Sequence, residues 1–471
     1  MFLQGPTLLS PAMNFKVQSS ISRDRAASVL RLRGSGCSAS RLDDVSDEEP
    51  CDEEPCDEEP WTRPPLLPED AIDLEYWNYN GGEELVSALE YDEALGDSPV
   101  ALVDARYLIS LADQGRILPR RQELPATAFV SIAALKQMSS YFMAALPIVV
   151  VSHPWLEPFH PDPKGSTLRL LAKALRLMCQ RCDCAVFLDF VSLHQKGAQG
   201  EERTPSEMAL FSRALGSLSP WYSHPKTWVF KVTALPEGYP DGFDFPTTMT
   251  PNQADYHDRG WCFCESSMAS LAKISWLVLD LSKLNGDETH FWAKTLHDSQ
   301  SVLDTCKAGR APPITPAEFS DLLQTKSFTS KKADIGVVIA LYTLSFEQRL
   351  GSATMIGYHE LGWTDTDLAS LIKVIESGAM PKLTHLHLHG NQITAEGIRN
   401  LATAARSGAL PSIQQIDVCR NPGEDLSYDG RWWERLENVA DRKHRSMRSS
   451  SGWLGQALSR VTSRRLRLQP S

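Results

Sequence analysis

The middle of the chain alternates short apolar runs with longer stretches in which apolar residues recur at helical spacing. The short runs predict β-strands, and the longer stretches predict amphipathic helices. The predicted strands are Pro147–Ser152, Ala185–Leu193, Thr227–Leu235 and Ser275–Leu281, and the predicted helices are Gly165–Cys182, Pro205–Leu218 and Arg259–Lys273. Strands that alternate with helices form parallel sheets covered by helices. Residues 144–290 are therefore predicted to form an open parallel α/β domain with flanking helices.

A second pattern recurs every 30 residues between residues 353 and 422. Its apolar positions are Ala353, Ile356 and Tyr358, then Leu383, Leu386 and Leu388, then Ile413, Ile416 and Val418, and Asn391 and Asn421 end the later copies. This spacing buries alternate residues of a short strand, and Asn can satisfy backbone groups where the chain turns toward a helix. Such helices are predicted at Thr366–Ser377 and Ala395–Ser407. The spacing resembles that of ribonuclease-inhibitor-like leucine-rich repeats, so residues 351–425 are predicted to form a short α/β solenoid.

The remaining ranges are interpreted mainly from composition. Residues 1–68 contain a repeated Asp-Glu-Glu-Pro-Cys unit, with eleven carboxylates and no Lys or Arg between residues 43 and 59, and are predicted to be disordered. Residues 69–143, in which Ala101–Gln114 has helical spacing, are predicted to be a mostly helical lead-in, and residues 291–350 a helical connector. The basic tail, residues 426–471, is predicted to be disordered or helical.

The bulk composition excludes several classes of function. A net charge of −12 argues against general nucleic-acid binding, and no apolar run approaches the roughly 18–20 residues of a transmembrane helix. The ten cysteines are scattered and no secretory leader opens the chain, which favours a reducing, cytoplasmic compartment. The Ser- and Arg-rich residues 1–42 leave organelle targeting as the alternative. The sequence has no Gly-x-x-x-x-Gly-Lys-Ser/Thr loop, which argues against an ATP-driven motor.

Several polar residues follow the predicted strands at their carboxyl ends, where ligands bind in parallel sheets. Glu265 lies in the first turns of a predicted helix, and Trp261, four residues earlier, shares a face with it. A carboxyl beside an aromatic ring suits the charge that develops when a glycosidic bond breaks. Alternatively, the helix dipole alone favours Glu265, and Trp261 belongs to the core. The other candidates for this crevice are Ser152, His153, Trp155, Asp189, Ser192 and Gln195.

Three short elements resemble known families. Trp261 to Glu265, which read Trp-Cys-Phe-Cys-Glu, resemble the Trp-Cys-x-x-Glu helix of the TIR domain. Residues 186–195 are similar to the Trp-x-Asp-x-x-Cys-Ile-x-Gln element of the fungal heterokaryon-incompatibility (HET) domain, and Arg259 to Glu265 are similar to its Arg-x-Trp-x-x-x-Glu element. HET domains are themselves considered TIR-like. The resemblance implies a flavodoxin-like, TIR/HET-like fold over residues 146–281.

The resemblance also implies a reaction, the cleavage of the nicotinamide–ribose bond of NAD. Glu265 would contact the ribose hydroxyls and stabilise the charge as nicotinamide leaves, with Trp261 packed beneath it. NAD would be the substrate, and neither a cofactor nor a metal is implied. Other members of these families only bind copies of themselves, so a non-enzymatic interaction module is the alternative. The implied substrate-binding residues are Ser152, His153, Trp155, Asp189, Ser192, Gln195, Arg259 and Trp261.

Two further groups of side chains bear on metal and partner binding. The thiols of Cys179, Cys182 and Cys184 have a spacing that can supply zinc ligands, but no matching pair lies at zinc-finger distance, so we interpret them as buried packing groups. Alternate residues of the repeat strands point to one face, where solenoids bind partners. We interpret this face as a protein-binding surface and expect no metal there. Its residues are His385, His387, His389, Gln415 and Asp417.

Overall fold

The structure is a computed structural model that describes residues 65–140, 145–197, 200–245, 250–294, 298–307, 309–328 and 331–423. Most of the predicted disordered region 1–68 and the whole basic tail 426–471 lie outside the described residues. Within the described part, no helix is long and apolar enough to cross a membrane.

The described residues form strands and helices in alternation. The strands are β1 Val103–Asp104, β2 Ile148–Ser152, β3 Ala185–Phe187, β4 Trp228–Lys231, β5 Val278–Asp280, β6 Met355–Gly357, β7 His385–His387 and β8 Gln415–Asp417. The helices are α1 Glu75–Tyr79, α2 Val86–Leu89, α3 Ala105–Asp113, α4 Ile132–Ser139, α5 Ser166–Met178, α6 Asp189–Ser192, α7 Pro205–Gly216, α8 Leu218–Ser223, α9 Gly260–Ala269, α10 Val302–Cys306, α11 Pro316–Leu323, α12 Lys331–Ser352, α13 Asp365–Glu376 and α14 Ala395–Ala404.

Side-chain caps explain where several helices begin. Thr204 accepts a hydrogen bond from the backbone N–H of Glu207, whose carboxylate accepts one from the N–H of Thr204 in return. This reciprocal pair satisfies two N–H groups that an α-helix leaves without intrahelical partners, and Pro205 fits the first helical position of α7. The same arrangement of Thr315 and Glu318 begins α11.

The larger sheet has the strand order β1-β3-β2-β4-β5. Strands β2 to β5 are parallel, and β1 pairs antiparallel with β3 at the edge. The predicted mixed α/β class with a mostly parallel sheet is confirmed. Strand β3 lies on one side of β2, and β4 lies on the other side. The chain therefore reverses its direction of travel between β2 and β4, where ligands bind in open α/β sheets.

Two predicted elements differ from the structure. The strand predicted at Ala185–Leu193 ends at Phe187, because the hydroxyl of Ser192 accepts a hydrogen bond from the N–H of Leu188 and closes the short helix α6. The helix predicted to start at residue 101 starts at Ala105, since the carboxylate of Asp104 caps it by accepting from the N–H of Arg106. Val103 and the capping Asp104 form β1, an edge strand that the helical spacing of residues 101–114 did not predict.

Alternate residues of the larger sheet face two different helical layers. Val150 and Val229 pack toward α8, α9 and α12. Val149 and Phe230 pack toward α3 and α5 on the opposite face. Both layers are apolar, so the strands are buried on both sides, as parallel strands generally are.

The smaller sheet is built from the 30-residue pattern. Strands β6, β7 and β8 are parallel and neighbouring, with the register Ile356, Leu386, Ile416. The predicted role of Asn391 is confirmed: its side-chain oxygen accepts from the N–H groups of Leu361 and Trp363, and its side-chain amide donates to two backbone carbonyls. Each polar atom of this buried amide is therefore satisfied.

Buried hydrogen bonds join the smaller sheet to the larger one. The hydroxyl of Tyr358 donates to the carbonyl of Leu271, and that of Ser275 donates to the carbonyl of His359 at 2.5 Å. Between them the buried guanidinium of Arg310 donates to backbone carbonyls on both sides. Three short strands form a small core by themselves, and these contacts continue that core into the α/β part of the chain.

Candidate functional site

A row of polar residues crosses the carboxyl edge of the larger sheet. Ser152, Lys231 and Asp280 are aligned in register on β2, β4 and β5, and we call them the polar row. Two residues earlier in each strand the same face is apolar and belongs to the core. The polar row thus begins where the core ends, at the strand pair where the direction of the sheet reverses.

Glu265 projects from α9 toward the polar row. The hydroxyl of Ser152 donates to Glu265 Oε2 at 2.5 Å and lies 2.6 Å from the hydroxyl of Tyr256. Because the Ser152 proton is used toward Glu265, Tyr256 must be the donor to Ser152. No ion pair among the described residues involves Glu265, so its carboxyl depends on neutral hydroxyl groups.

The environment of Glu265 favours its protonated form. Burial raises the pKa of Glu265 to about 8, and the negative charge of Asp189 raises it as well, while hydrogen bonds from Ser152 and Tyr222 act in the opposite direction. The residue is half-buried and keeps some contact with solvent. At neutral pH the free protein therefore holds a carboxylic acid that can ionise when a positive charge approaches.

Two residues shortly before Glu265, Arg259 and Gly260, position the start of helix α9. The buried guanidinium of Arg259 donates to the carbonyls of Trp155 at 2.6 Å and Ala254 at 2.9 Å, and it also donates to that of Asn252. The ring of Phe328 packs on Gly260 so closely that any Cβ there would lie 1.9 Å from it. Both contacts fix the start of α9, and through it the position of Glu265.

A second carboxylate lies beside this group. Asp189 Oδ2 accepts from the indole N–H of Trp155 at 2.8 Å, and Asp189 Oδ1 accepts from the N–H of Phe190 at 2.7 Å. Nε2 of His153 is 3.4 Å from Asp189 Oδ1, and among the described residues neither buried ring nitrogen of His153 has a hydrogen-bond partner. A buried polar ring without hydrogen bonds is costly to fold, so the core alone does not explain this histidine.

Three predicted substrate-binding residues use their polar atoms in contacts within the protein, Ser192 and Gln195 with the backbone and Trp261 with a carboxylate. The hydroxyl of Ser192 accepts from Leu188 N–H inside α6, and the amide of Gln195 donates to the carbonyls of Asp189 and Leu193. The indole N–H of Trp261 donates to Asp334 of α12 at 3.1 Å. Their polar atoms are already engaged, so we assign them, with Arg259, to positioning.

The sequence analysis missed the functional potential of Lys231, Tyr256 and Asp280. Lys231 is buried, and its burial lowers the pKa of its amine to about 8. The signal that would have found it is strand alternation, since residues 229 and 231 must face the same side as residues 150 and 152. Asp280 accepts a hydrogen bond from Thr233 at the end of the same row.

The cysteines near the site are packing groups. Cys262 is buried and donates to the carbonyl of His153 at 3.6 Å, and burial raises the pKa of its thiol. Burial also raises the pKa of Cys182 to about 12. Thiols that stay protonated are poor nucleophiles and poor metal ligands.

The exposed face of the smaller sheet carries the residues predicted to bind a partner. Leu386 and Leu388 are buried, while the alternating residues are partly or fully exposed. That set is His385, His387, His389, Gln415 and Asp417. Nearby, a groove of about 650 Å³ is lined by Lys307, Glu360 and Arg420 among others, and none of the predicted site residues lines it.

No family model matches the chain, and no curated protein or solved structure matches it either. Its function is therefore argued from the arrangement around Glu265.

Proposed function

We propose that this chain is a signalling or defence-type protein whose TIR/HET-like α/β domain cleaves the nicotinamide–ribose bond of NAD. The observation that carries the proposal is the half-buried carboxyl of Glu265, which is hydrogen-bonded to Ser152 at the carboxyl edge of a parallel sheet and has no cationic partner in the described part of the chain. A structural surface glutamate would have paired with Lys or Arg or faced solvent.

The strand order supports the same proposal. A parallel sheet that reverses direction between β2 and β4 has a crevice outside the ends of those strands. Ser152 ends β2 and Lys231 ends β4, so both flank that crevice. The amine of Lys231 suits a phosphate of the dinucleotide.

The chemistry requires a negative charge near the ribose. The bond between C1′ and the nicotinamide nitrogen breaks and its electron pair leaves on nicotinamide. Water then adds to C1′ and releases a proton, which yields ADP-ribose. Ionised Glu265 stabilises the oxocarbenium-like state. The positive pyridinium ring of NAD favours that ionisation, because an opposite charge lowers the pKa of a buried carboxyl.

The other residues have supporting roles. Trp155 and His153 close one side of the crevice around Asp189. Arg259 holds the Trp155 backbone, and Gln195 holds that of Asp189. No cofactor or metal enters this reaction. The partly exposed repeat face is proposed to bind a protein partner, and the buried thiols among the described residues are compatible with a cytoplasmic location.

Release of nicotinamide by the purified full-length chain tests this proposal. At micromolar enzyme, where self-association can occur, we expect turnover that rises as the pH approaches 8. Glu265→Gln should reduce it about 100-fold or more, since it removes the charge but keeps the shape. Glu347→Gln changes an exposed glutamate on α12 and should leave the rate unchanged. A flat time course for the wild-type chain would contradict the proposal.

The second candidate is a non-enzymatic module in which the α/β domain self-associates and the repeats bind a protein. The engagement of Ser192, Gln195 and Trp261 in structural hydrogen bonds favours it, since fewer groups remain for a substrate. Concentration-dependent self-association in sedimentation, without nicotinamide release at any concentration, would select this candidate over the first.

A further inference from the structure

Three side chains of the smaller sheet converge on one point. Nδ1 of His389 lies 2.9 Å from Oδ2 of Asp417, and Nδ1 of His387 lies 3.7 Å from the same oxygen. All three ligand atoms are within 4.8 Å of one another. His387 on β7 and Asp417 on β8 are register partners, and His389 lies two residues beyond the end of β7.

We propose that His387, His389 and Asp417 bind a divalent first-row transition ion, with Zn²⁺ as the favoured ion. Zn²⁺ binds imidazole nitrogen and carboxylate oxygen at about 2.0–2.2 Å, so two ligands of one tetrahedral ion lie roughly 3–4 Å apart. The 3.7 Å separation lies in that range, the 2.9 Å separation lies just below it, and no two of the three ligand atoms are more than 4.8 Å apart. Imidazole favours such ions over Mg²⁺ and Ca²⁺, which prefer oxygen.

A simple ion pair explains only part of the arrangement. One imidazole at 2.9 Å is an ordinary partner for Asp417, but the second, at 3.7 Å, is beyond hydrogen-bond distance. An ion between the three atoms would use both rings. The shared oxygen is then a ligand, and bonds to the ion replace the contact between His389 and Asp417.

The surroundings hold these side chains in place. The backbone N–H of Cys419 donates to Oδ1 of Asp417 at 3.1 Å and leaves Oδ2 for the ion. The ring of His359 stacks on that of His389 with centroids 4.6 Å apart. On β6 the residue in register with His387 is Gly357, which adds no side chain beside the cluster. Outer contacts of this kind orient metal ligands.

The site keeps room for a further ligand. The side chains of His387, His389 and Asp417 are 26%, 24% and 22% exposed. Three protein ligands with solvent access are typical of zinc sites that keep a fourth position for water or another group. On this face, that position is available to a carboxylate or imidazole of a bound protein.

Metal titration of the full-length chain, purified without a histidine tag and stripped with chelator, tests the proposal. Calorimetry with ZnCl₂ should give about one strong site per chain. Asp417→Asn and His389→Ala should each weaken binding about 100-fold or more. His385→Ala removes a histidine from the same strand and face but outside the cluster, so it should change the affinity less than about twofold.

Circular dichroism of the metal-free variants checks that each is folded, and Asp417→Asn keeps the shape of the side chain if His389→Ala does not fold. Equal losses in all three variants, or strong binding that survives Asp417→Asn, would show scattered surface chelation and overturn the proposal. These results do not depend on NAD turnover.

Discussion

The two sheets of this molecule differ in how the polar residues beside them are hydrogen-bonded. In the smaller sheet, the buried Asn391 has a partner for each donor and acceptor of its side chain. In the larger sheet, His153 is buried without a hydrogen bond, and Glu265 is held by neutral hydroxyls in an environment that opposes its charge.

The hydrogen bonds of Asn391 stabilise the fold, whereas the stability of the fold does not explain the environment of Glu265. A satisfied buried amide strengthens the fold, because its hydrogen bonds replace those it made with water. A carboxyl whose pKa is raised by burial weakens the fold at high pH, so another benefit must explain it. Substitutions in the two sheets should therefore change stability in opposite directions.

The largest effect is expected for Asn391→Ala. The substitution removes the side chain that bonds the N–H groups of Leu361 and Trp363 and the carbonyl of Tyr358, and should lower the free energy of unfolding by about 3 kcal/mol. Urea unfolding measures this loss. Asn400→Ala, an exposed asparagine on α14, is the matched control and should change stability by less than about 0.5 kcal/mol. A similar small change for Asn391→Ala would remove the contrast between the sheets.

Glu265→Gln should act in the other direction. In the wild-type chain the pKa of Glu265 is raised to about 8, so the folded state retains a proton that the unfolded state releases. The contribution of Glu265 to wild-type stability is therefore greatest at low pH, falls as the pH rises from about 4.5 to about 8, and is constant above that. At about pH 9 the neutral glutamine should be more stable than wild type by about 2 kcal/mol, a value reduced for the partial exposure of the group.

Thermal or urea unfolding over a pH series measures this effect. Glu347→Gln lies on an exposed position and should follow the wild-type curve throughout. If Glu265→Gln is instead destabilising at high pH, the folded state favours the charged carboxyl, its pKa is not raised, and the contrast between the two sheets fails.

The strands of the smaller sheet could be predicted almost completely from the sequence. The 30-residue period fixed the strands, and the position of Asn391 in the repeat predicted its bonding to the backbone. Such local patterns determine which residue faces inward without knowledge of distant partners. The proposed metal site was not expected, because His387 and Asp417 lie on different strands and only the strand register brings them, with His389, to one point.

The larger sheet was predictable only in outline. Apolar runs located its parallel strands, but the edge strand β1 was concealed by helical spacing, and the end of β3 by a continuous apolar run. The arrangement of the residues around Glu265 depends on tertiary contacts, which the sequence does not reveal. Ser152 was recognised at a strand end, whereas its contact with Tyr256 joins residues 104 positions apart. Arg259 is of a residue type that often binds ligands. Only the fold shows that its guanidinium donates to loop carbonyls instead.

The smallest effect, and the sharpest test of the Glu265 environment, is expected for Ser152→Ala. The hydroxyl of Ser152 donates to the carboxyl and favours its charged form, so its removal should raise the pKa of Glu265 further, by up to about one unit. The shift is measured from the pH above which the difference in unfolding free energy between Ser152→Ala and Ser152→Ala with Glu265→Gln stops changing, because that pH marks the pKa of Glu265 in the folded state. Tyr256→Phe is the matched control, because its hydroxyl donates to Ser152 and not to the carboxyl, so its shift should be smaller. A fall in the pKa of Glu265 on loss of the Ser152 hydroxyl would mean that this hydrogen bond favours the protonated acid, and the carboxyl would then act in the crevice as a donor instead of as a charge.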